Sequence, residues 1–525
     1  MSDGREHRWW QRGVLYEVYV RSFMDGNGDG VGDLPGITGR LDYLRWLGVE
    51  AFWLTPFYPS PMADFGYDVS DYTGVHPLFG TLADFDALVA EAHRGDLRVV
   101  LDFVPNHTSD RHPWFQASRS SRTDPHRDWY IWRDQPNNWL SAFGGSAWTL
   151  DEPTGQYYLH SYLKEQPDLN WRNPDVEEAV LAAMQFWLER GADGFRLDAI
   201  SRLVKDARFR DNPPNPDWRP GMSPYKRLLP TWSADQPEVH DLIARMRQLT
   251  DRYADRVLIG EAYLPMGRVL TYYGSGRGVH FPFNFLLLTE PWKAESIRRA
   301  VDAYERLLPE GGWPSWVLGN HDRPRVASRV GPAQARVAAL LLLTLRGTPT
   351  LYYGDEIGMR NVPIPADKVQ DPWERNVPGL GRDPERTPMQ WDGGANAGFT
   401  GGVPWLPLAD DFSQTNVVAQ QSDATSLLSL YHKLIQLRER EPALFAGTYA
   451  ALPSPADTFA YSRSGGGKTF LVALNFATRP VSVDLSTAPG PGRVVLSTEL
   501  DRAGDDIDGT LHLRGDEGVL VEVRG

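Results

Sequence analysis

Four short stretches of the 525-residue chain place charged or imidazole side chains where a buried strand is expected to end. Gly194-Phe195-Arg196-Leu197-Asp198-Ala199-Ile200 sets an arginine and a carboxylate two residues apart, on one side of a strand. The apolar run from Val99 passes through Asp102 to Asn106 and His107, that from Val257 ends in Glu261, and that from Trp316 ends in Asn320, His321 and Asp322. Buried charges persist when they are paired or used. Asp198, Glu261 and Asp322 together supply what glycoside hydrolysis requires: one carboxylate attacks an anomeric carbon, and another protonates the leaving oxygen and then activates water or another alcohol. Arg196 beside Asp198 favours the ionised form of a nucleophile. Glu261, with no adjacent base, suits a general acid of raised pKa. Asp322 is suited to bind sugar hydroxyls and support a charged transition state, and His107 and His321 to donate hydrogen bonds to hydroxyls. Each residue alone is more often part of a satisfied core network; four such strand ends point to one pocket.

The elements that must position them alternate. Strands are expected at 13–23, 49–56, up to Asn106-His107, 194–200, 256–263, about 278–285, 314–320 and 348–354, with helices such as 41–47, 81–93 (Thr81 as N-cap) and 175–188 between them. Eight strands alternating with helices predict an α/β fold of the (β/α)8 TIM-barrel type, whose chemistry sits at the carboxyl ends of the strands. The alternation stops at 108–173, which is rich in Trp, Pro, Gly, Asn and Asp and has little helical period; it reads as an inserted lid domain after strand three. Aromatics in polar, Gly-rich loops suit stacking on sugar rings, and Phe143, in Phe143-Gly-Gly-Ser-Ala-Trp148, is one such candidate. An amphipathic helix at 426–437 closes the barrel. From 446 to 525 short alternating strands at 458–461, 468–475, 481–485, 494–496 and 519–523 suggest a C-terminal antiparallel β-sandwich. The barrel is thus assigned to 1–107 and 174–445, the lid to 108–173 and the sandwich to 446–525.

A formal charge of −14 argues against a nucleic-acid surface. The absence of cysteine excludes disulfides and thiolate chemistry and fits a reducing cytosol. The amino terminus, Met1 to Arg8, is polar with no apolar stretch behind it, and the longest apolar run, 337–345, is far too short for a bilayer. A cytoplasmic monomer or small homo-oligomer without membrane contact or organic cofactor is the expectation. Asp25-Gly-Asn27-Gly-Asp29-Gly-Val31-Gly-Asp33 offers oxygen side chains at alternate positions, as a hard cation needs. Gly36 stands where an EF-hand would place its bidentate glutamate, so the run reads as a single-loop structural ion site outside an EF-hand.

Asp102-Phe-Val-Pro-Asn-His107, Gly194-Phe-Arg-Leu-Asp198, Glu261 and Asn320-His-Asp322 resemble, in order, the conserved regions of the α-amylase family of retaining glycoside hydrolases, and the similarity covers the whole chain. It implies Asp198 as nucleophile, Glu261 as acid/base and Asp322 as transition-state stabiliser. Asp64-Phe-Gly-Tyr67, Gln166-Pro-Asp-Leu-Asn170 and Arg386-Thr-Pro-Met-Gln-Trp391 look like the exo-acting α-glucosidase and oligo-1,6-glucosidase branch. The resemblance implies that Asp64 pairs with Arg386 to cap the pocket over a non-reducing glucose, with Tyr67 beneath the sugar. It also implies Asp25, Asn27, Asp29, the Val31 carbonyl and Asp33 as ligands of Ca2+, or failing that Mg2+. In that branch the residue after the nucleophile is commonly Val or Thr; Ala199 departs from this and predicts a tolerant acceptor side. Alanine also occurs there in sucrose-cleaving enzymes and trehalose synthases of the family. The expected function is release of α-glucose from short α-1,4 or α-1,6 oligosaccharides, or from sucrose, with some transglycosylation. Glucosyl-transferring isomerisation is the alternative, and a catalytically dead transport or scaffold subunit is disfavoured because all three carboxylates are present.

Overall fold

The computed structural model of the chain describes residues 7–485 and 490–524; the amino-terminal stretch read above for a secretory signal lies, through Glu6, outside them. Eight strands form the barrel: β1 (Leu15–Val18), β2 (Ala51–Leu54), β3 (Arg98–Phe103), β4 (Gly194–Leu197), β5 (Val257–Gly260), β6 (Phe281–Pro282), β7 (Ser315–Val317) and β8 (Thr348–Tyr352). They lie in the order β7-β8-β1-β2-β3-β4-β5-β6, every pair parallel. Among the described residues no backbone ladder joins β6 to β7. There the Ser315 hydroxyl bridges instead, donating to the Pro282 carbonyl at 2.7 Å and accepting from the Asn284 N–H at 3.2 Å.

The barrel strands all end short of the ranges their sequence suggests, β1 and β6 most of all. β1 ends at Val18 because the chain turns into a helical segment, Val20–Phe23, whose first N–H is taken by Thr55 Oγ1 at 3.1 Å. β6 shrinks to two residues because Pro282 has no N–H to give a ladder. The helices follow their end signals. Thr81 and Asp84 form a reciprocal capping box at the start of Leu82–Arg94, and Asn173 followed by Pro174 opens Pro174–Glu189. Inward side chains of the strands, including Leu15, Trp53, Val100, Ile259 and Val317, fill the ring, while the outward faces pack on the helices. At the amino ends Asp193 ties β3 to β5, accepting from the Val99 N–H at 2.9 Å and facing His93 at 2.6 Å and Arg256 at 3.0 Å. The next residue must be glycine: Gly194 has φ 151°, and a Cβ there would lie 2.0 Å from the Val257 carbonyl oxygen.

Between β3 and β4 the chain forms a three-stranded antiparallel sheet (Trp132–Arg133, Trp148–Asp151, Gln156–Leu159), together with a helix, Pro113–Ser120, that the sequence did not suggest. Trp139 and Trp148 of this sheet region pack with Phe209 and Trp232 from the loop after β4, so two connections share one small core. The C-terminal region is a β-sandwich. A six-stranded antiparallel sheet, containing Thr458–Gly465, Lys468–Asn475, Gly492–Ser497 and Gly518–Val523, faces the pair Val481–Asp484 and Thr510–Leu513 across Ala460, Leu471, Val483, Leu511 and Val521. Thr448–Leu452, Asp506–Ile507 and Thr510–Leu513 are strands additional to those expected.

Candidate active site

Asp198 follows β4 directly, Glu261 follows β5 directly, and Asp322 stands five residues beyond β7. The strand register aligns them, with Asp102 of β3 opposite Arg196 and Leu197 opposite Gly260. Arg196 is the hub. Its Nη1 donates to Asp198 Oδ1 at 2.6 Å and to Asp102 at 2.9 and 3.1 Å; its Nη2 lies 3.3 Å from Glu261 Oε1, and its plane sits over the Trp53 ring. Glu261 is fixed from its other side by the Ala199 N–H, 2.7 Å from Oε2. Ala199 achieves this in a left-handed conformation, φ 47°, which a side chain adopts at a cost of about 1 kcal/mol. Here the backbone of Ala199 matters as well as its small side chain.

One cation facing three carboxylates alters the expected charge assignment. Burial pushes Asp198 well above the usual carboxylate range; Arg196 pulls it down, and Glu261 and Asp102 push it further up. Asp102 is pushed up to about 6, again by burial against the pull of Arg196. Arg196 pulls Asp198 toward its ionised form, as its adjacency in sequence suggests, but it divides that pull among Asp102, Asp198 and Glu261. The cluster favours retaining a proton among its carboxylates, and a double displacement needs one ionised and one protonated group. Asp322 behaves oppositely. Burial raises it, yet the His321 ring and the guanidiniums of Arg382, Arg386 and Arg196 hold it well below its ordinary value.

The largest correction concerns the arginine near Asp64. Arg382, not Arg386, pairs with Asp64, at 2.7 Å. Arg382 is aimed there by Asp371, which it contacts through Nε at 3.0 Å and Nη2 at 2.8 Å. A 3-10 turn, Asp383–Glu385, then carries Arg386 to the other side of Asp322, where Nη2 donates to Oδ1 at 2.8 Å and Nε to the His321 carbonyl at 2.7 Å. Asp64 also accepts from Gln166 Nε2 at 3.2 Å, and the same amide lies 3.1 Å from His107 Nε2. Burial lowers His107 to about 4, so it is neutral at pH 7. Tyr67 donates to Asp102 Oδ2 at 2.9 Å and stacks on His321 with rings 13° from parallel. Phe143 stacks on Trp373, and Arg382 lies over both rings, so the segment after β3 and the segment after β8 meet at this arginine. The expected substrate residues Asp64, Tyr67, His107, Phe143, Arg196, His321 and Arg386 are thus linked, through Arg382 and Asp322, to the three carboxylates.

The Asp25–Asp33 loop lies apart from this pocket. Asp25 accepts from the N–H groups of Asn27, Gly28 and Gly30 at 2.7–2.9 Å and from the Thr400 hydroxyl at 2.5 Å. Asn27 and Asp29 each accept from the N–H two residues on, at 2.9 Å. Asp33 Oδ1 caps Leu34–Thr38, whereas its Oδ2 is buried with no hydrogen-bond partner. Among the described residues no three His, Asp or Glu side chains stand ready as metal ligands. The hard oxygens and the orphaned Asp33 Oδ2 nevertheless fit a hard cation in donor type.

Arg382 and Glu17 are site residues the sequence reading did not single out. Glu17 carried a usable signal, a carboxylate in the middle of an alternating strand. Arg382 carried none, because no periodicity orders the segment around it.

Residues 17–447 match the alpha amylase catalytic domain model. A probable alpha-glucosidase of Rhizobium meliloti is 40% identical over 91% of each chain, and an oligo-1,6-glucosidase of Parageobacillus thermoglucosidasius is 39% identical over 90% of this chain and 91% of its own. Among solved structures, the alpha-glucosyl transfer enzyme XgtA superposes with a TM-score of 0.93 at 41% identity over 99% of this chain and 100% of that one. The trehalulose synthase MutB of Pseudomonas mesoacidophila superposes at 0.90 with 36% identity over 99% and 100%. With the eight-stranded barrel and the strand-end carboxylates, these matches establish that the chain is a glycoside hydrolase of the α-amylase family.

Proposed function

We propose that the protein is a retaining exo-α-glucosidase that releases α-glucose from the non-reducing end of short α-1,4 or α-1,6 oligosaccharides or sucrose. The observation that carries this reading is the Arg196 cluster, in which one guanidinium touches both Asp198 and Glu261. Sharing a cation favours the close carboxyl spacing of double displacement, about 5–5.5 Å, over the wider gap that inversion needs. Asp198 attacks the anomeric carbon as the glycosidic C–O bond breaks, and Glu261 gives its proton to the leaving oxygen. Glu261 then takes a proton from water or an alcohol whose oxygen attacks the same carbon, and Asp198 is released. Asp322, held as an anion, supports the positive charge of the transition state. The Asp64–Arg382 pair, with Gln166 and His107, closes the end of the pocket over one terminal sugar, and Tyr67 lies beneath it. Residues 108–173 act as the lid, against a barrel of 1–107 and 174–445 and a sandwich from 446. The lack of cysteine supports a cytosolic location.

Product analysis with maltose, isomaltose, sucrose and maltotriose tests the reading: glucose accumulates with retained configuration, and Asp198→Asn loses more than about 1,000-fold in kcat. An active Asp198→Asn variant would refute the assignment. Transfer rather than hydrolysis is the second reading, favoured by the likeness to the glucosyl transfer enzyme and the trehalulose synthase. Under it, isomeric disaccharides build up from maltose or sucrose while free glucose stays low. A Ca2+ ion in the Asp25–Asp33 loop, held by Asp25, Asn27, Asp29, the Val31 carbonyl and Asp33, would brace that loop. Its presence predicts a Tm that rises with added Ca2+ and falls with chelator; an unmoved Tm counts against it.

A further inference from the structure

Glu17 lies outside every motif that points to the pocket, yet it is wholly enclosed in the barrel wall, on the same face of β1 as Leu15. Its Oε1 is 2.5 Å from His321 Nδ1, and its Oε2 has no hydrogen-bond partner. Across the imidazole, Nε2 lies 2.9 Å from the Tyr67 hydroxyl and 3.5 Å from Asp322 Oδ1. Proton counting decides the arrangement. Tyr67 has one proton, and Asp102 Oδ2 takes it, since Asp102 is already an acceptor for Arg196 and for Trp53 Nε1. The Tyr67 oxygen must then accept from His321 Nε2–H. A neutral ring protonated at Nε2 is bare at Nδ1, so the proton of the 2.5 Å contact comes from Glu17. Protonating both ring nitrogens would instead bury an imidazolium against a carboxylate whose second oxygen meets no donor, a costly pair to enclose.

We propose that Glu17 is a positioning residue: as a neutral carboxylic acid it donates to His321 Nδ1 and fixes the tautomer whose Nε2–H faces Tyr67, Asp322 and the bound sugar. The electrostatics run the same way. Burial pushes Glu17 well above its ordinary value, with Asp322 and Asp102 adding to it and Arg196 and the His321 backbone N–H opposing. Burial likewise pulls His321 well below its own, against Asp322 and with Arg386, Arg196 and Arg382. The role of the N–H toward a sugar rests on the glucosidase reading; the location of the proton does not.

Neutron diffraction from deuterium-exchanged crystals of the full chain is the direct test. Deuterium on Glu17 Oε1 and His321 Nε2 is expected, and deuterium on Nδ1 beside a bare Glu17 overturns the proposal. Two variants read the consequence on maltose or a nitrophenyl α-glucoside. Glu17→Gln can still donate an N–H to Nδ1 and keeps kcat within about threefold. Glu17→Met cannot, and loses on the order of 10–100-fold in kcat. A Gln variant as impaired as the Met variant, or an unimpaired Met variant, also overturns it. Should Glu17→Met not fold, the neutron map and the Gln variant still decide. A wild-type chain that turns over no α-glucoside would sink the functional reading while leaving the neutron result intact.

Discussion

Buried guanidinium groups in two regions of the molecule are treated differently. In the pocket, Arg196, Arg382 and Arg386 face carboxylates: Asp102, Asp198 and Glu261 around the first, Asp64, Asp371 and Asp322 around the others. At the seam between barrel and sandwich, Arg438 and Arg463 face backbone carbonyls. Arg438 donates to Leu343 and Leu345 at 2.9 Å, and Arg463 to Leu444 at 2.7 Å and Gly447 at 3.0 Å. Burial raises Asp102 and Asp198 in the pocket but lowers the seam arginines, to about 9 for Arg438 and about 10 for Arg463. Charge against charge makes a field that can act on a substrate. Charge against carbonyls satisfies groups at and just past helix ends that would otherwise be orphaned, and does no chemistry.

The sharpest way to break this contrast is Arg196→Met. Three buried carboxylates lose their shared cation, a change of about 3–5 kcal/mol in the pocket, and kcat/KM should fall on the order of 1,000-fold. If the variant melts early but its folded fraction works normally, Arg196 is a structural residue after all. Arg463→Leu should do the reverse. Unfolding in denaturant should show a loss of roughly 2–4 kcal/mol from unpaired carbonyls, with kcat/KM of the folded enzyme within about twofold of the parent. A large loss of activity there would erase the distinction.

A smaller effect separates the regions by pH. Asp102, at about 6, must be ionised to hold Arg196 and accept from Tyr67, so kcat/KM should fall roughly tenfold from pH 7 to pH 5. In the unfolded chain the same carboxyl releases its proton near pH 4. Between about 4 and 6 the folded state therefore holds the extra proton, and the contribution of Asp102 to stability is greatest below about 4 and lost as pH rises through 6. Activity and this part of stability should move in opposite directions across that window. The seam arginines stay charged throughout it and add no slope. Parallel profiles of kcat/KM and denaturant midpoint from pH 4 to 7 check the sign.

The residues that sequence could place are those tied to a regular element. Asp102, Arg196, Asp198 and Glu261 sit on or directly after parallel strands, where period two and register dictate direction, and all four meet as the strand pattern implied. The eight strands themselves and the Thr81 cap were legible for the same reason. The Asp64 partner was not. Arg382 and Arg386 are four residues apart in an irregular segment, and a single 3-10 turn decides which of them reaches which carboxylate. The sharing of Arg196 among three acids was also hidden, because sequence adjacency displays one neighbour and the barrel supplies two more. Glu17 fell between these cases: its position was readable, and its partner, 304 residues away, was not.

The bridging Ser315 hydroxyl carries a consequence for how the ring breathes. Asp198 and Glu261 stand on strands joined by a continuous ladder, while Glu261 and Asp322 stand on opposite flanks of the one junction, among the described residues, that a side chain closes. Thermal opening at that clasp would leave the nucleophile-to-acid spacing nearly constant and modulate the distance to the third carboxylate. The reacting pair thus sits on the laddered side of the ring, and the third carboxylate lies across the clasp.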